Sequence, residues 1–324
     1  MKLQHTLAAA LLALGTALPA LASNTAPYPC AVVKMISPYP PGGTTDILSR
    51  LLAPGMAKEL GTNVIVENKA GASSNIGTEF VSSSAPDGCT LLLGNNTGVV
   101  INRNLYKLRI DPVQGLAPIG GVASVPLVLY VNHKLPITNL NELFSYATKH
   151  PAKLSYASGG SGSPQHLMGE LLKLEKRLDI VHIPYKGQGP AMQDVIGGVV
   201  PMAFETTTVL VPQLANGRIV ALATTGATRS KEIPNVPTMK ELGLNDFVIE
   251  NWYGLFTQAK TPEAHIQRLN AALNKVLKSP EVAASLNKMG SSDMAMSVQE
   301  MNAFITKELP FWEALTKRSG ATVD

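Results

Sequence analysis

Short apolar, β-branched runs alternate along the chain with stretches whose apolar residues recur every three to four positions. Val32–Ile36 is the first run; after the loop Pro38–Gly43, Ile47, Leu48, Leu51, Leu52 and Met56 follow at helical spacing. Pro54 should kink that helix. Val64–Val66 predicts a second strand, followed by a Gly/Ser loop and a helix near Asn75–Ser84. The turn Pro86-Asp87-Gly88 leads into a strand at Thr90–Leu93. The rhythm then repeats, with strands at Leu127–Val131, Leu154–Ala157, Ile180–Ile183, Met202–Phe204 and Ile219–Ala223. Thr138 is placed to cap a helix running to Lys149. Ser163-Pro164 reads as an N-cap and first helical residue ahead of Leu167, Leu171 and Leu174. A helix starting at Pro190 should stop at Gly197-Gly198. The last part is more helical. Thr261-Pro262 reads as another cap pair before Ile266, Leu269, Leu273 and Val276, and Ser297 with Glu300 forms a capping box before Met301, Phe304 and Ile305. This β-loop-α order predicts an α/β fold of mainly parallel strands joined by right-handed crossovers, in two units alike only in rhythm.

The N-terminus follows neither period. Lys2 precedes an almost continuous apolar run, Leu7–Leu18, and Ala20-Leu21-Ala22 fits a small-x-small cleavage pattern. The run is shorter than the roughly 20 residues of a membrane span. It therefore reads as a signal peptide (residues 1–22) removed after Ala22, with export to the periplasm as the expectation. A length of 324 residues suggests two domains at about 150 residues each. Charged residues make up 15%, against roughly 25% in ordinary soluble proteins, which excludes a disordered polyampholyte. The 27 basic and 23 acidic residues are scattered, which argues against nucleic acid as a partner. An exported chain can hold disulfides. Cys30 and Cys89 each open a strand-like run, so their sulfurs would start at one sheet edge if those strands lie side by side and parallel.

Three Gly-rich loops lie between a strand and a helix: Pro38–Thr45, Ser158–Ser163 and Tyr185–Gly189. At such places a helix N-terminus offers unpaired N–H groups and a partial positive charge, and glycine lets a ligand approach the backbone. Their hydroxyls and amides suit a carboxylate. None carries the phosphate-binding Gly-Lys-Ser/Thr or the dinucleotide Gly-x-Gly-x-x-Gly pattern. A serine hydrolase built on Ser161 and His166 would need an acid partner that the sequence does not offer, and the G-x-S-x-G pattern fails at Ser163. The histidines show no metal-site spacing, so neither catalysis nor a cofactor is expected.

Tyr39–Asp46 (Tyr-Pro-Pro-Gly-Gly-Thr-Thr-Asp), Val66–Ala72, Pro86-Asp87-Gly88, Gly160–His166, Pro184–Gly187, Val236–Thr238, Trp252 with Gly254, and Ala259–Pro262 together resemble the Bug family. This is the TctC-like group of extracytoplasmic receptors of tripartite tricarboxylate transporters. The resemblance covers essentially the whole chain beyond the signal region. It implies a periplasmic binding protein fold, in which two α/β domains are crossed twice by the chain and close on a small carboxylate. One domain would span about residues 23–122 plus 246–324, the other about 123–245. The resemblance implies ligand contacts from Tyr39, Gly42, Gly43, Thr44 and Thr45, from Ser158, Gly160, Ser161, Ser163 and His166, and from the Tyr185 region. Glu205 and Thr206 lie in the implied cleft segment. Ser73-Ser74 stands where Gly-Gly is frequent and would bring hydroxyls to polar ligand ends. Cys89 replaces a common Tyr, Lys69-Ala70 a common Arg-Pro, and Glu205 a common Asp.

The residues also read singly. His166 can donate to a carboxylate or brace its own helix start. Asp46 reads as a brace for its loop, because a carboxylate repels an anionic ligand. Glu205 meets the same objection unless it recognises an amine or hydroxyl. Tyr39 and Tyr185 can cover an aliphatic or aromatic ligand body or simply pack. Lys186 can meet a carboxylate, although most lysines are solvated. Trp252 is placed at a crossing between domains and Trp312 in C-terminal helix packing. The resulting expectation is a monomeric receptor for a di- or tricarboxylate, aliphatic or aromatic, with membrane transporter subunits as partners. A membrane sensor reading the closed form is an alternative partner.

Overall fold

The computed structural model describes residues 28–323, so the signal segment and its cleavage after Ala22 lie outside the described residues. In chain order the first elements are β1 (Val32–Ser37), α1 (Thr44–Leu60), β2 (Asn63–Asn68), α2 (Asn75–Ser82), β3 (Thr90–Asn95), the short α3 (Pro112–Gly115) and β4 (Leu116–Asn132). A π-helical turn, Thr97–Ile101, follows β3. Then come α4 (Leu140–Lys149), β5 (Leu154–Ser158), α5 (Pro164–Lys176), β6 (Ile180–Pro184), α6 (Gln188–Gly197), β7 (Met202–Thr206), α7 (Thr207–Leu214) and β8 (Ile219–Thr224). The chain ends with β9 (Glu250–Gln258), α8 (Glu263–Leu277), α9 (Pro280–Lys288), β10 (Ser292–Asp293) and α10 (Val298–Ser319).

The strands lie in the order β2-β1-β3-β9-β4-β7-β5-β6, with β8 and β10 also on β4. β1 pairs in parallel with β2 and β3, and β5 with β6 and β7, as the alternating pattern predicts. The antiparallel strands are β9 against β3 and β4, and β7, β8 and β10 against β4. β4 changes partner midway: Leu116–Pro126 pairs with β9, and Leu127–Asn132 with β7 and β8. The sheet thus has two halves with matching order, 2-1-3 and 6-5-7, joined through β4 and the return segment ahead of β9.

Helices cover both faces. Ile266, Leu269, Leu273 and Val276 of α8 are buried beside Leu48, Leu52 and Met56 of α1, each side chain contributing about 1.5–3 kcal/mol by leaving water. The two helices approach so closely that a Cβ on Gly55 would lie 2.8 Å from Val276 Cγ1. Helix α1 runs through Pro54 without ending. α10 packs on β4 and also reaches α5; Arg318 bonds Asp246 at 2.8 Å and contacts Glu175. Trp252 and Trp312 are both buried and donate their indole N–H to Glu308, at 2.7 and 2.6 Å. Trp252 therefore sits on β9, locked to the C-terminal helix.

Caps follow the sequence in part. Ser297 and Glu300 close the capping box, and Ser163 Oγ accepts from His166 N. Asn139, not Thr138, caps α4, because Thr138 donates its N–H and O–H to Glu142 instead. α8 starts at Glu263 behind Pro262, while the Thr261 hydroxyl pairs with that of Thr257. α6 begins at Gln188, two residues before Pro190. Cys30 and Cys89 are disulfide-bonded, with Cα atoms 5.6 Å apart at the adjoining starts of β1 and β3.

Candidate functional site

In a 2-1-3 strand order the loops leaving the central pair of strands diverge, opening a crevice at their carboxyl ends. Here two such crevices face each other. Tyr39 and Thr45 come from the loop and helix after β1, and Asn95 and Thr97 from the end of β3. Gly159, Ser163 and Gln165 follow β5, Gln188 follows β6, and Asn251 and Tyr253 rise from β9. All ten line one cavity, which is nearly shut: about 10 Å³ is open to a water-sized molecule.

The lining is polar yet holds no Lys, Arg, Asp, Glu or His. Gln165 is 1% exposed, and among the described residues its Nε2 has no hydrogen-bond partner, nor has Asn251 Oδ1. Thr45, Gln165 and Gln188 sit in the first turns of α1, α5 and α6, so three helix N-termini converge on the cavity. Their partial positive charges and spare N–H groups suit an anion without a cationic side chain. Burial raises the Tyr39 and Tyr253 phenols above their ordinary range, so both hydroxyls remain protonated donors.

The halves are bonded across the cleft. Thr44 N and Oγ1 both donate to Gln188 Oε1, at 3.3 and 3.2 Å, and Thr44 Oγ1 lies 2.8 Å from Thr206 Oγ1. Tyr106 donates its hydroxyl to Ser161 O at 2.9 Å, and Thr207 to Gly290 O at 3.0 Å. Glycine is required where the loops meet. A Cβ on Gly160 (φ 133°) would sit 2.9 Å from Ser73 Oγ, and one on Gly187 (φ 148°) 2.8 Å from Pro40 Cδ.

Of the residues singled out from sequence, Tyr39, Thr45 and Ser163 line this cavity. Ser73, Ser74, Gly160, Ser161 and Tyr185 line a second, outer pocket of about 190 Å³, which Tyr39 shares. Gly42, Gly43, Thr44, Ser158, His166, Glu205 and Thr206 line neither pocket. They hold the walls instead. Gly42 N donates to Asp46 Oδ2, and Arg50 and Asn68 donate to Asp46 Oδ1, each at 3.0 Å. Burial alone would raise the Asp46 pKa, but these bonds and the Arg50 charge outweigh it and hold the group below its ordinary value. Asp46 is thus the loop brace expected of it. Ser158 Oγ lies 2.7 Å from His182 Nε2 and donates to Gly160 O at 3.2 Å. His166 is 3% exposed, its Nδ1 accepts from Gly162 N at 3.0 Å, and its ring stacks on His182 at 3.8 Å. Glu205 is 1% exposed and accepts from Thr206 N and Oγ1, at 2.7 and 3.1 Å. Tyr185 donates its hydroxyl to Asp194 Oδ2 at 2.6 Å.

One wall of the outer pocket is strained. Ala72, Ser73 and Ser74 have φ of 45°, 50° and 75°, a left-handed turn of non-glycine residues costing about 1–2 kcal/mol each. Asn102 secures it, donating Nδ2 to Ser73 O at 2.7 Å and to Asn75 Oδ1 at 2.6 Å.

The sequence reading missed Asn95, Thr97, Gln165, Gln188, Asn251 and Tyr253. Asn95-Asn96-Thr97 had a signal, a polar end to an apolar strand. Gln165 and Gln188 lie inside or beside the loops already singled out. Asn251 and Tyr253 belong to a strand with no readable pattern.

Two matching α/β halves closing on a cavity at their strand ends define a two-domain periplasmic binding protein fold. The profile described as "Tripartite tricarboxylate transporter family receptor" (TctC) matches residues 48–321, and the chain belongs to that family. It is 35% identical to Protein BugT of Bordetella pertussis over 91% of each chain. Among solved structures it resembles MatC of Rhodopseudomonas palustris with bound malate, with a TM-score of 0.85 and 30% identity, covering 89% of this chain and 99% of that one. It also resembles R. palustris Rpa4515 with adipate, with a TM-score of 0.88 and 30% identity over 91% and 99% of the two chains. The homologues are solute-binding receptors of the periplasm, not enzymes.

Proposed function

We propose that this chain is a periplasmic receptor that captures a small aliphatic carboxylate between its two halves and delivers it to membrane transporter subunits. The observation that carries this reading is the charge-free cavity lined by amides and hydroxyls, on which three helix N-termini converge. Gln165 Nε2 is a buried donor aimed into it with no protein partner, as a carboxylate oxygen would require. The malate and adipate bound to the two R. palustris neighbours support an aliphatic acid. The domains would part where the chain crosses between the halves, through β4 and ahead of β9. A ligand bonded to both would favour the closed arrangement, because only there does it gain both sets of contacts.

The test is a thermal-shift screen of the purified protein with succinate, malate, adipate, citrate, glutamate, benzoate and phthalate, with a neutral amide of each hit as control. A ligand that binds only the folded form raises Tm with the logarithm of its concentration. The expected result is a shift for an aliphatic acid and none for its amide. A shift for benzoate or phthalate alone would move the ligand class to aromatic acids. No shift for any acid at millimolar concentration would overturn the carboxylate reading.

A further inference from the structure

Where the halves meet, the hydrogen-bonding groups contain one hydrogen too few. Thr44 Oγ1 of one half sits between two groups of the other, 2.8 Å from Thr206 Oγ1 and 3.2 Å from Gln188 Oε1. Thr206 Oγ1 in turn lies 3.1 Å from Glu205 Oε1, and Glu205, Thr206 and Thr44 are all buried. A hydroxyl carries one hydrogen, so two hydrogens face three contacts. The Gln188 amide does not supply the third, because Thr44 N donates to the same Oε1 at 3.3 Å and holds that oxygen toward Thr44. Tyr253, beside Thr44 and Gln188, accepts from Asn251 Nδ2 at 2.8 Å and brings its own hydrogen in every case. An ionised Glu205 takes the Thr206 hydrogen in a charge-assisted bond. Thr44 must then donate to Thr206, and it meets Gln188 Oε1 as acceptor against acceptor across the cleft. A protonated Glu205 leaves the Thr206 hydrogen to Thr44 and the Thr44 hydrogen to Gln188. Both contacts between the halves are then true hydrogen bonds.

We propose that Glu205 is a proton site coupled to closure, so that capturing a ligand takes up one proton from water onto its carboxylate. This rests on the receptor reading, in which closure holds the ligand, and adds a pH dependence to it. Parting the halves removes Thr44 and Tyr253 and admits water to Glu205, which then ionises as an ordinary carboxyl does. Closing buries it again, and burial raises its pKa to about 8. The other titratable groups around it leave that proton alone. Tyr130 of β4 and Tyr253 of β9 are phenols that burial keeps protonated. Glu250 of β9 is bonded to Ser124, Asp194 of α6 to Tyr185, and Asp46 of α1 to Arg50. Glu170 of α5 accepts from Tyr156 of β5, and His166 of α5 is stacked on His182 of β6. Helix α7 and strand β8 carry no titratable side chain. The contribution to closure is full below the ordinary value of 4.5 and is lost as pH rises through about 8, so acid pH favours capture.

The experiment is calorimetric titration of the intact protein with malate and adipate between about pH 6.5 and 9, in buffers of different ionisation enthalpy, repeated for Glu205→Gln. Wild type should take up a proton on binding. Its affinity should fall by up to about tenfold per pH unit towards pH 8 and level off above it. Glu205→Gln stays neutral, so it should keep the low-pH affinity throughout and take up no proton. A wild-type affinity that does not change with pH would overturn the proton site, as would a pH dependence that survives Glu205→Gln. A second arm needs no ligand. A Cβ on Gly160 would lie 3.5 Å from Ser73 Cβ, within disulfide range, so Ser73→Cys/Gly160→Cys can bolt the halves together. The infrared band of a protonated carboxyl should persist in the bolted protein up to about pH 8 and be missing once Glu205→Gln is added. The same band in both would overturn the proton site whatever the protein binds. The band present with neither acid bound would support the proton site and count against the carboxylate reading alone.

Discussion

Glu205 turns its carboxyl onto the backbone and hydroxyl of Thr206 rather than into the cleft, and among the described residues no Lys or Arg pairs with it. Burial pushes its pKa up to about 8, against the downward pull of the two Thr206 bonds, so it is mainly protonated at neutral pH. A carboxyl whose folded pKa lies above its unfolded value of 4.5 contributes stability that is full below 4.5 and is lost as pH rises through about 8. Glu205→Gln keeps an oxygen for the Thr206 N–H and cannot ionise. In urea unfolding between pH 5 and 8, the variant should gain on wild type by about 1.4 kcal/mol per pH unit. A difference that does not change with pH would show that Glu205 titrates normally. His182 is neutral for a related reason: burial first, then the neighbouring His166 and Lys173, pull its pKa down to about 3. His166 accepts from Gly162 N through Nδ1 and stacks on His182, so the two rings brace the Gly159–Ser163 loop.

The disulfide ties the starts of β1 and β3, which pair in parallel with Lys34 opposite Thr90, and closes a loop with a sequence separation of 59. Cross-linking a loop of that size restricts the unfolded chain and should contribute about 2–4 kcal/mol. Cys30→Ala/Cys89→Ala should lower the urea midpoint accordingly, and adding reductant should lower that of wild type but not of the double variant. An unchanged midpoint in both would mean the bond contributes nothing. This pairing was legible because both cysteines open apolar runs at one sheet edge. The first part of β4 was not: no strand was legible ahead of Leu127, because Pro118, Gly120, Gly121 and Pro126 break the apolar pattern, yet the strand absorbs them at register shifts against β9 and at the point where it changes partners. β9 was equally hidden, since a strand buried on both faces shows no alternation, and Gly254 interrupts what apolar run there is. Hence the Gly-rich loops of the site could be read, whereas Asn251 and Tyr253, set in the cavity by the register of β9, could not. The caps at Thr138 and Thr261 slipped by one residue because a neighbouring Glu142 or Thr257 competes for the hydroxyl.

Polar contacts across the two halves are spread over several places. Within the cleft, Thr44 reaches both Gln188 and Thr206 on the opposite half, while Tyr106, Thr207 and Thr208 make bonds farther out and Arg318 of α10 meets Glu175 of α5. The Thr44 hydroxyl is buried, and valine matches its shape without its polarity. Thr44→Val thus removes two polar contacts from the closed arrangement, leaves the backbone bond to Gln188, and leaves the two cores untouched. A ligand shifts an equilibrium only by its differential affinity for the two states, so part of the binding free energy must now be used to close a cleft that no longer favours closing. Each lost hydrogen bond is worth about 0.5–1.5 kcal/mol. The affinity for the acid identified in the screen should therefore fall about tenfold, while the ligand-free Tm stays near that of wild type. Small-angle scattering should show the ligand-free variant more expanded than ligand-free wild type, with both reaching the same compact form when saturated. If affinity falls without any expansion, Thr44 acts on the ligand rather than on closure. If neither changes, the Thr44 contacts hold nothing that the outer bonds do not already hold.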